Sequence, residues 1–175
     1  SLGLVGSEMC IRDRNKMYKM RKTFNYLLIA SRHGITVGVN YAQITGNELH
    51  DNAEYGLWLA GGYSGHLVKG NKIYRNGHHG IETGNITNST IEANIIFNNS
   101  QASEGGYHGI HFLGTYIIVM GNRCFDDQDV KTQSYGIVEV SDSDYNLIVN
   151  NIVTENRDGG IIKSGTNTIM DNNIG

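Results

Sequence analysis

The side chains of this 175-residue chain that could do chemistry gather around a recurring glycine. Immediately before Gly34, Gly56, Gly80, Gly109 and Gly136 stand His33, Tyr55, His79, His108 and Tyr135. One position earlier come Arg32, Glu54, His78, Tyr107 and Ser134, and Asp158 precedes the Gly159-Gly160 pair. Two residues after the glycine stand Thr36, Trp58, Glu82, His111, Val138 and Ile162. Imidazole exchanges protons near neutral pH, and aromatic faces stack on the apolar faces of sugar rings, so this set suits proton transfer on a bound glycan. His33, His79 and His108 are the catalytic candidates. Arg32, Tyr55, Trp58, His78, Glu82, Tyr107, His111 and Tyr135 are the candidates for contacting substrate. The densest group, His78, His79, Glu82, Tyr107, His108 and His111, also contains the residues a zinc ion would need, but no recognised metal-ligand spacing links them and no metal site is assigned. The same rings would equally serve as a structural stack of aromatic side chains.

What brings these residues together is a repeat. An Asn followed two residues later by an apolar residue recurs as Asn25/Leu27, Asn47/Leu49, Asn71/Ile73, Asn94/Ile96, Asn122/Cys124, Asn151/Val153 and Asn172/Ile174. Ile44, Val68, Ile91, Val119, Ile148 and Ile169 stand three residues before those Asn from Asn47 onward, and Asn52, Asn76, Asn99, Asp127 and Asn156 follow at plus five. Then comes the glycine and an apolar residue, beginning with Gly34-Ile35 and ending with Gly160-Ile161. Units of roughly two dozen residues with three short alternating segments read as stacked coils, each unable to bury its apolar side alone. The fold expected is all-β, a parallel β-helix of about six coils. Alternation turns the second residue after each glycine outward, and parallel stacking at about 4.8 Å aligns the candidates in a strip. The Asn columns are expected to hydrogen-bond from coil to coil. Two neighbouring coils carry insertions at one corner, Ser100 to Tyr107 and Gln128 to Tyr135, and one-sided insertions mark a working face. Glu139 and Lys163 fall on nominally inward positions of consecutive coils and are expected to pair, or the strand to bulge there.

Composition agrees with a turn-rich solenoid: 23 glycines, no proline and 20 asparagines, the residue types that tolerate left-handed backbone. The net charge of −3 gives no reason to expect a nucleic-acid partner, and no apolar run is long enough for a membrane span. Two cysteines, Cys10 and Cys124, make no disulfide framework. Calcium is the ion that the acidic turns around Asp126, Asp127 and Asp129, or Asp142 and Asp144, would suit, although such residues ordinarily solvate turns. Residues 1–14 (SLGLVGSEMCIRDR) share nothing with the repeat and resemble a translated sequencing-adapter read-through of the kind found at the ends of metagenomic protein predictions. They are set aside as non-native, 15–24 are read as a degenerate coil remnant, and 25–175 as the β-helix, incomplete at both ends.

The pattern Asn-x-apolar, Asn at plus five, Gly-apolar closely resembles the right-handed parallel β-helix repeats of the pectate-lyase-like superfamily. Within it, Arg32-His33-Gly34-Ile35-Thr36-Val37 resembles the Arg-His-Gly-apolar segment at the catalytic groove of alginate C5-epimerase modules. That resemblance implies that Arg32 meets a uronate carboxylate and that His33 assists proton transfer at C5. The Asp-Pro-His segment of those epimerases is absent, and a chain with no proline cannot contain it. The expectation is therefore an extracellular or cell-surface β-helix that binds or modifies a polysaccharide, of the uronate lyase or epimerase class. The alternatives are a non-catalytic scaffold of a surface or adhesive protein, or a phage tail-spike shaft.

Overall fold

The computed structural model describes residues 8–13, 16–21 and 32–175. The Asn25/Leu27 repeat unit lies outside the described residues. Strands β1 (Glu8–Asp13) and β2 (Lys16–Arg21) pair antiparallel. From Arg32 onward the chain winds through six coils. The first holds β3 (Ile35–Val37), β4 (Gln43–Thr45) and β5 (Glu48–His50), and the second β6 (Leu57–Leu59), β7 (Leu67–Lys69) and β8 (Lys72–Tyr74). The third holds β9 (Ile81–Thr87), β10 (Thr90–Glu92) and β11 (Ile95–Phe97), and the fourth β12 (Ile110–Thr115), β13 (Ile118–Met120) and β14 (Arg123–Phe125). β15 (Tyr135–Glu139) and β16 (Leu147–Val149) belong to the fifth, β17 (Gly159–Ile162) and β18 (Ile169–Asp171) to the sixth. All three faces are parallel sheets: β3-β6-β9-β12-β15-β17, β4-β7-β10-β13-β16-β18 and β5-β8-β11-β14, the last extended by bridges from Arg123 to Ile152 to Ile174.

Three-residue strands are stable here because each turns one or two side chains inward and the rest outward: β4 and β5 bury only their middle residue, whereas β3 and β6 bury both ends. Ile44, Val68, Ile91, Val119 and Ile148 stack in one interior column, and Leu49, Ile73, Ile96 and Cys124 in another, all essentially without solvent contact. Burial pushes the Cys124 thiol far above its ordinary range, leaving it a small apolar core residue.

Polar side chains close the corners between the sheets. Asn71 donates its backbone N–H and its Nδ2 to Asn94 Oδ1, at 2.9 and 3.0 Å. The same double bond repeats from Asn47 to Asn71, Asn94 to Asn122, and Asn122 to Asn151. The last rung is Asn173, not Asn172: Asn151 donates to Asn173 Oδ1, and Met170 rather than Ile169 pairs with Ile148. With two Asn adjacent, the stacking register alone decides which one turns inward.

The second ladder runs through Asn52, Asn76, Asn99, Gln133 and Asn156. Asp127, expected there from its place in the repeat, instead accepts from Asn98 Nδ2 at 2.7 Å. The insertion moves the corner downstream, and a carboxylate offers no N–H to pass the ladder on, whereas the Gln133 amide both accepts and donates.

Glu139 and Lys163 also differ from expectation. Glu139 is fully buried, but Lys163 is exposed beyond the end of β17. The Glu139 carboxylate accepts from Asn146 Nδ2, Gly165 N and Thr168 Oγ1 at 2.9, 2.9 and 2.6 Å. Neutral donors satisfy it without burying a lysine. No described residue belongs to a helix long and apolar enough to cross a membrane.

Candidate functional site

The outward positions of the first sheet stand in the register that the glycines predict. Thr36 lies opposite Trp58, Trp58 opposite Glu82, Glu82 opposite His111, and His111 opposite Val138. The glycines make this register because the corner is too tight for a side chain. A Cβ on Gly80 would lie 2.6 Å from Ile96 Cγ2 and 2.7 Å from the Gly109 carbonyl oxygen.

Along the corner beside them runs a column of rings. His33 and Tyr55 stack at 4.8 Å, Tyr55 and His79 at 5.8 Å, and His79 and His108 lie at 5.0 Å, with Tyr135 5.8 Å beyond His108. In the column one residue earlier, Arg32 pairs with Glu54 at 2.9 Å, and His78 stacks on Tyr107 at 4.1 Å. Trp58 meets His33 edge-on at 5.2 Å. The structure therefore brings all eleven candidates into one strip spanning five coils.

Both insertions form one wall beside this strip. Gly105 N donates to the Thr132 carbonyl, and Gln101 Nε2 donates to Gln128 Oε1 and Thr132 Oγ1. The second loop folds around Asp126, whose buried carboxylate accepts the backbone N–H groups of Gln128, Thr132 and Gln133. Its oxygens are spent on the loop's own backbone, and with Asp127 held by Asn98 this acidic turn is a structural device, not an open calcium cradle. Asp126 was legible in the sequence only as one of a cluster, because its burial depends on the loop closing over it.

The centre of the strip is a His–Glu–His cluster. Glu82 Oε2 lies 2.8 Å from His111 Nδ1 and 3.6 Å from His79 Nε2, and the two imidazoles stack at 4.6 Å. Their ligand atoms all fall within 4.8 Å of one another, close enough to hold a metal ion. The hydrogen-bond network argues otherwise. His79 Nδ1 accepts the His108 backbone N–H at 2.8 Å, so the neutral ring keeps its proton on Nε2 and has no lone pair there for a metal. Because a carboxylate only accepts, the proton between His111 and Glu82 sits on Nδ1, leaving His111 Nε2 as the basic nitrogen.

Burial sorts the histidines. It is the main cause lowering His79 to about 2 and His108 to about 4, with the neighbouring imidazoles adding to it. His33 is also lowered by burial, partly opposed by the Glu54 carboxylate. Tyr55 is raised, first by burial and then by Glu82 and Glu54. His33 Nδ1 accepts the Tyr55 N–H at 3.4 Å, repeating the post that His79 holds under His108. A corner histidine thus supplies an acceptor for the next coil's N–H, a role the sequence does not announce. His111 Nε2, by contrast, sits on a half-buried ring beside a carboxylate.

A family model described as the right-handed β-helix region matches residues 4–113. The chain belongs to that family. The match begins inside the segment set aside as non-native, and the six coils are those of a right-handed parallel β-helix. Among curated proteins none matches the sequence. Among solved structures, the A-module of mannuronan C-5 epimerase AlgE6 from Azotobacter vinelandii is similar at a TM-score of 0.62 and 17% identity, covering 75% of this chain and 38% of that one. The A-module of the AlgE4 epimerase from the same organism is similar at 0.61 and 19% identity, covering 75% and 37%. This chain therefore spans little more than a third of those modules, and the likeness is one of fold.

Proposed function

We propose that this chain carries the glycan-binding face of a polysaccharide-modifying β-helix, working outside the cell or on its surface. The observation that carries the reading is the strip itself: a continuous column of rings from His33 to Tyr135, with Trp58, Glu82 and His111 in register beside them and a two-loop wall alongside. A polymer lying along the coils would meet a new set of side chains about every 4.8 Å, close to the rise of one sugar unit.

The names of the structural neighbours, both mannuronan C-5 epimerases, favour a uronate lyase or epimerase as the parent activity. Such chemistry needs a cation for the carboxylate and a base for the C5 proton. Arg32, largely exposed, offers the cation at one end of the strip, and His33 beside it would serve as the base on giving up the Tyr55 N–H that its Nδ1 now accepts. Buried His79 and half-buried His108, both held neutral, are better suited to positioning the strip than to moving protons.

Affinity electrophoresis in gels containing alginate, pectate or neutral polymers tests the reading. Retardation by at least one polymer, weakened at least about fivefold by Trp58→Ala, is expected. Mobility indifferent to every polymer would sink it. Loss of C5 exchange or of unsaturated product in His33→Gln, with binding retained, would assign the proton transfer to this end.

A second reading is a non-catalytic scaffold. It is favoured by the packing of buried His79 against half-buried His108, since rings packed on one another serve stability without any ligand.

A further inference from the structure

The charges along the strip do not match a uniformly anionic polymer. Around Trp58, Glu82 and His111 the described carboxylates are Glu82 and Glu54, with Asp158 acting on His108. The nearest described arginines, Arg32 and Arg157, stand two coils from Glu82 and from His111 respectively and are already paired, Arg32 with Glu54 and Arg157 with Glu104 and Asp158. His79 donates toward Glu82 and accepts from backbone, so it brings no compensating charge. A sugar carboxylate placed against Glu82 would face a like charge in a half-buried setting, where such repulsion is felt. An uncharged sugar would instead find an acceptor for its hydroxyls in Glu82, a second acceptor in His111 Nε2, and an aromatic platform in Trp58 one coil away.

We infer that the subsite formed by Trp58, Glu82 and His111 takes uncharged glycosyl units, and that any uronate of the polymer is confined to the Arg32 end of the strip, two coils from Glu82. This rests on the strip being a glycan site. It deepens that reading by dividing the strip into a neutral subsite and an anionic end, which predicts a polymer whose charged units are spaced rather than consecutive.

Isothermal titration of the full chain at about pH 8 and low salt, with xylo- and mannohexaose against hexamers of mannuronate and galacturonate, tests it. Tighter binding of an uncharged hexamer is expected. Glu82→Gln should raise affinity for the uronate hexamers by about fivefold or more, because it removes the opposing charge and keeps the shape. Trp58→Ala, checked for native circular dichroism, should weaken the uncharged hexamer without that gain. Preference of the parent chain for uronate hexamers, or uronate affinity unchanged or lowered in Glu82→Gln, overturns the inference and leaves the glycan-site reading standing. Binding of none of the hexamers overturns both.

Discussion

The residue whose loss should cost this fold most for its size is a ladder asparagine. Asn94 Oδ1 accepts two donors of Asn71, and Asn94 Nδ2 donates to Asn122 Oδ1 and the Val68 carbonyl, all out of solvent. Asn94→Ala leaves several buried groups unpaired, and a loss of about 3 kcal/mol in urea unfolding is expected; a loss below about 1 kcal/mol would mean that water fills the gap. Acid should attack the strip through its histidines. The folded-state values of His79 and His108 lie below the 6.5 of a free imidazole, so the unfolded chain binds protons that the native one refuses. Stability is therefore complete above about pH 6.5 and falls as the pH drops toward 4. The melting temperature followed across that window should decline, and the decline should shrink in His108→Asn; a flat profile would refute the burial. None of this was legible in the residues themselves, because whether a histidine is buried depends on what the next coil lays over it.

At the scale of the element, the corner glycine and its strand work as one piece. Gly80→Ala puts a methyl against Ile96, the Gly109 carbonyl and Asn99 Nδ2, and should cost at least about 2 kcal/mol in thermal or denaturant unfolding. Gly46, at φ +65 with open space around its added Cβ, should cost only about 1 kcal/mol on the same change. Equal costs would show that conformation, not packing, sets the motif. The repeat exposed the glycines, the inward Ile and Leu positions and the register of Trp58, Glu82 and His111, since two-residue alternation and a constant offset suffice for these. It misplaced the ladder in the fourth coil, because an insertion breaks the count, and Gln133 is found only by asking which amide ends nearest Asn99 and Asn156.

Across the whole molecule, stability comes from continuity between coils and little from surface charge. The pairs Lys72 with Glu48 and Arg75 with Asp51 bridge neighbouring coils on the outside. Their partial exposure makes them worth little, so about 1 M sodium chloride should change the unfolding free energy by less than about 1 kcal/mol. A larger loss would show that these pairs hold the stack. Sequence alone determined that the chain winds in parallel coils, which residues line the interior, and that His, Tyr, Trp and Glu side chains share one strip, because all of these follow from a periodic pattern. Only the tertiary structure decided which of adjacent asparagines turns inward, that Glu139 is satisfied by Asn146, Gly165 and Thr168 and not by Lys163, and that His79 is a neutral post beneath His108 while His111 faces Glu82. Those outcomes depend on distances between coils and on which donors remain unpaired, and periodicity in one chain carries neither.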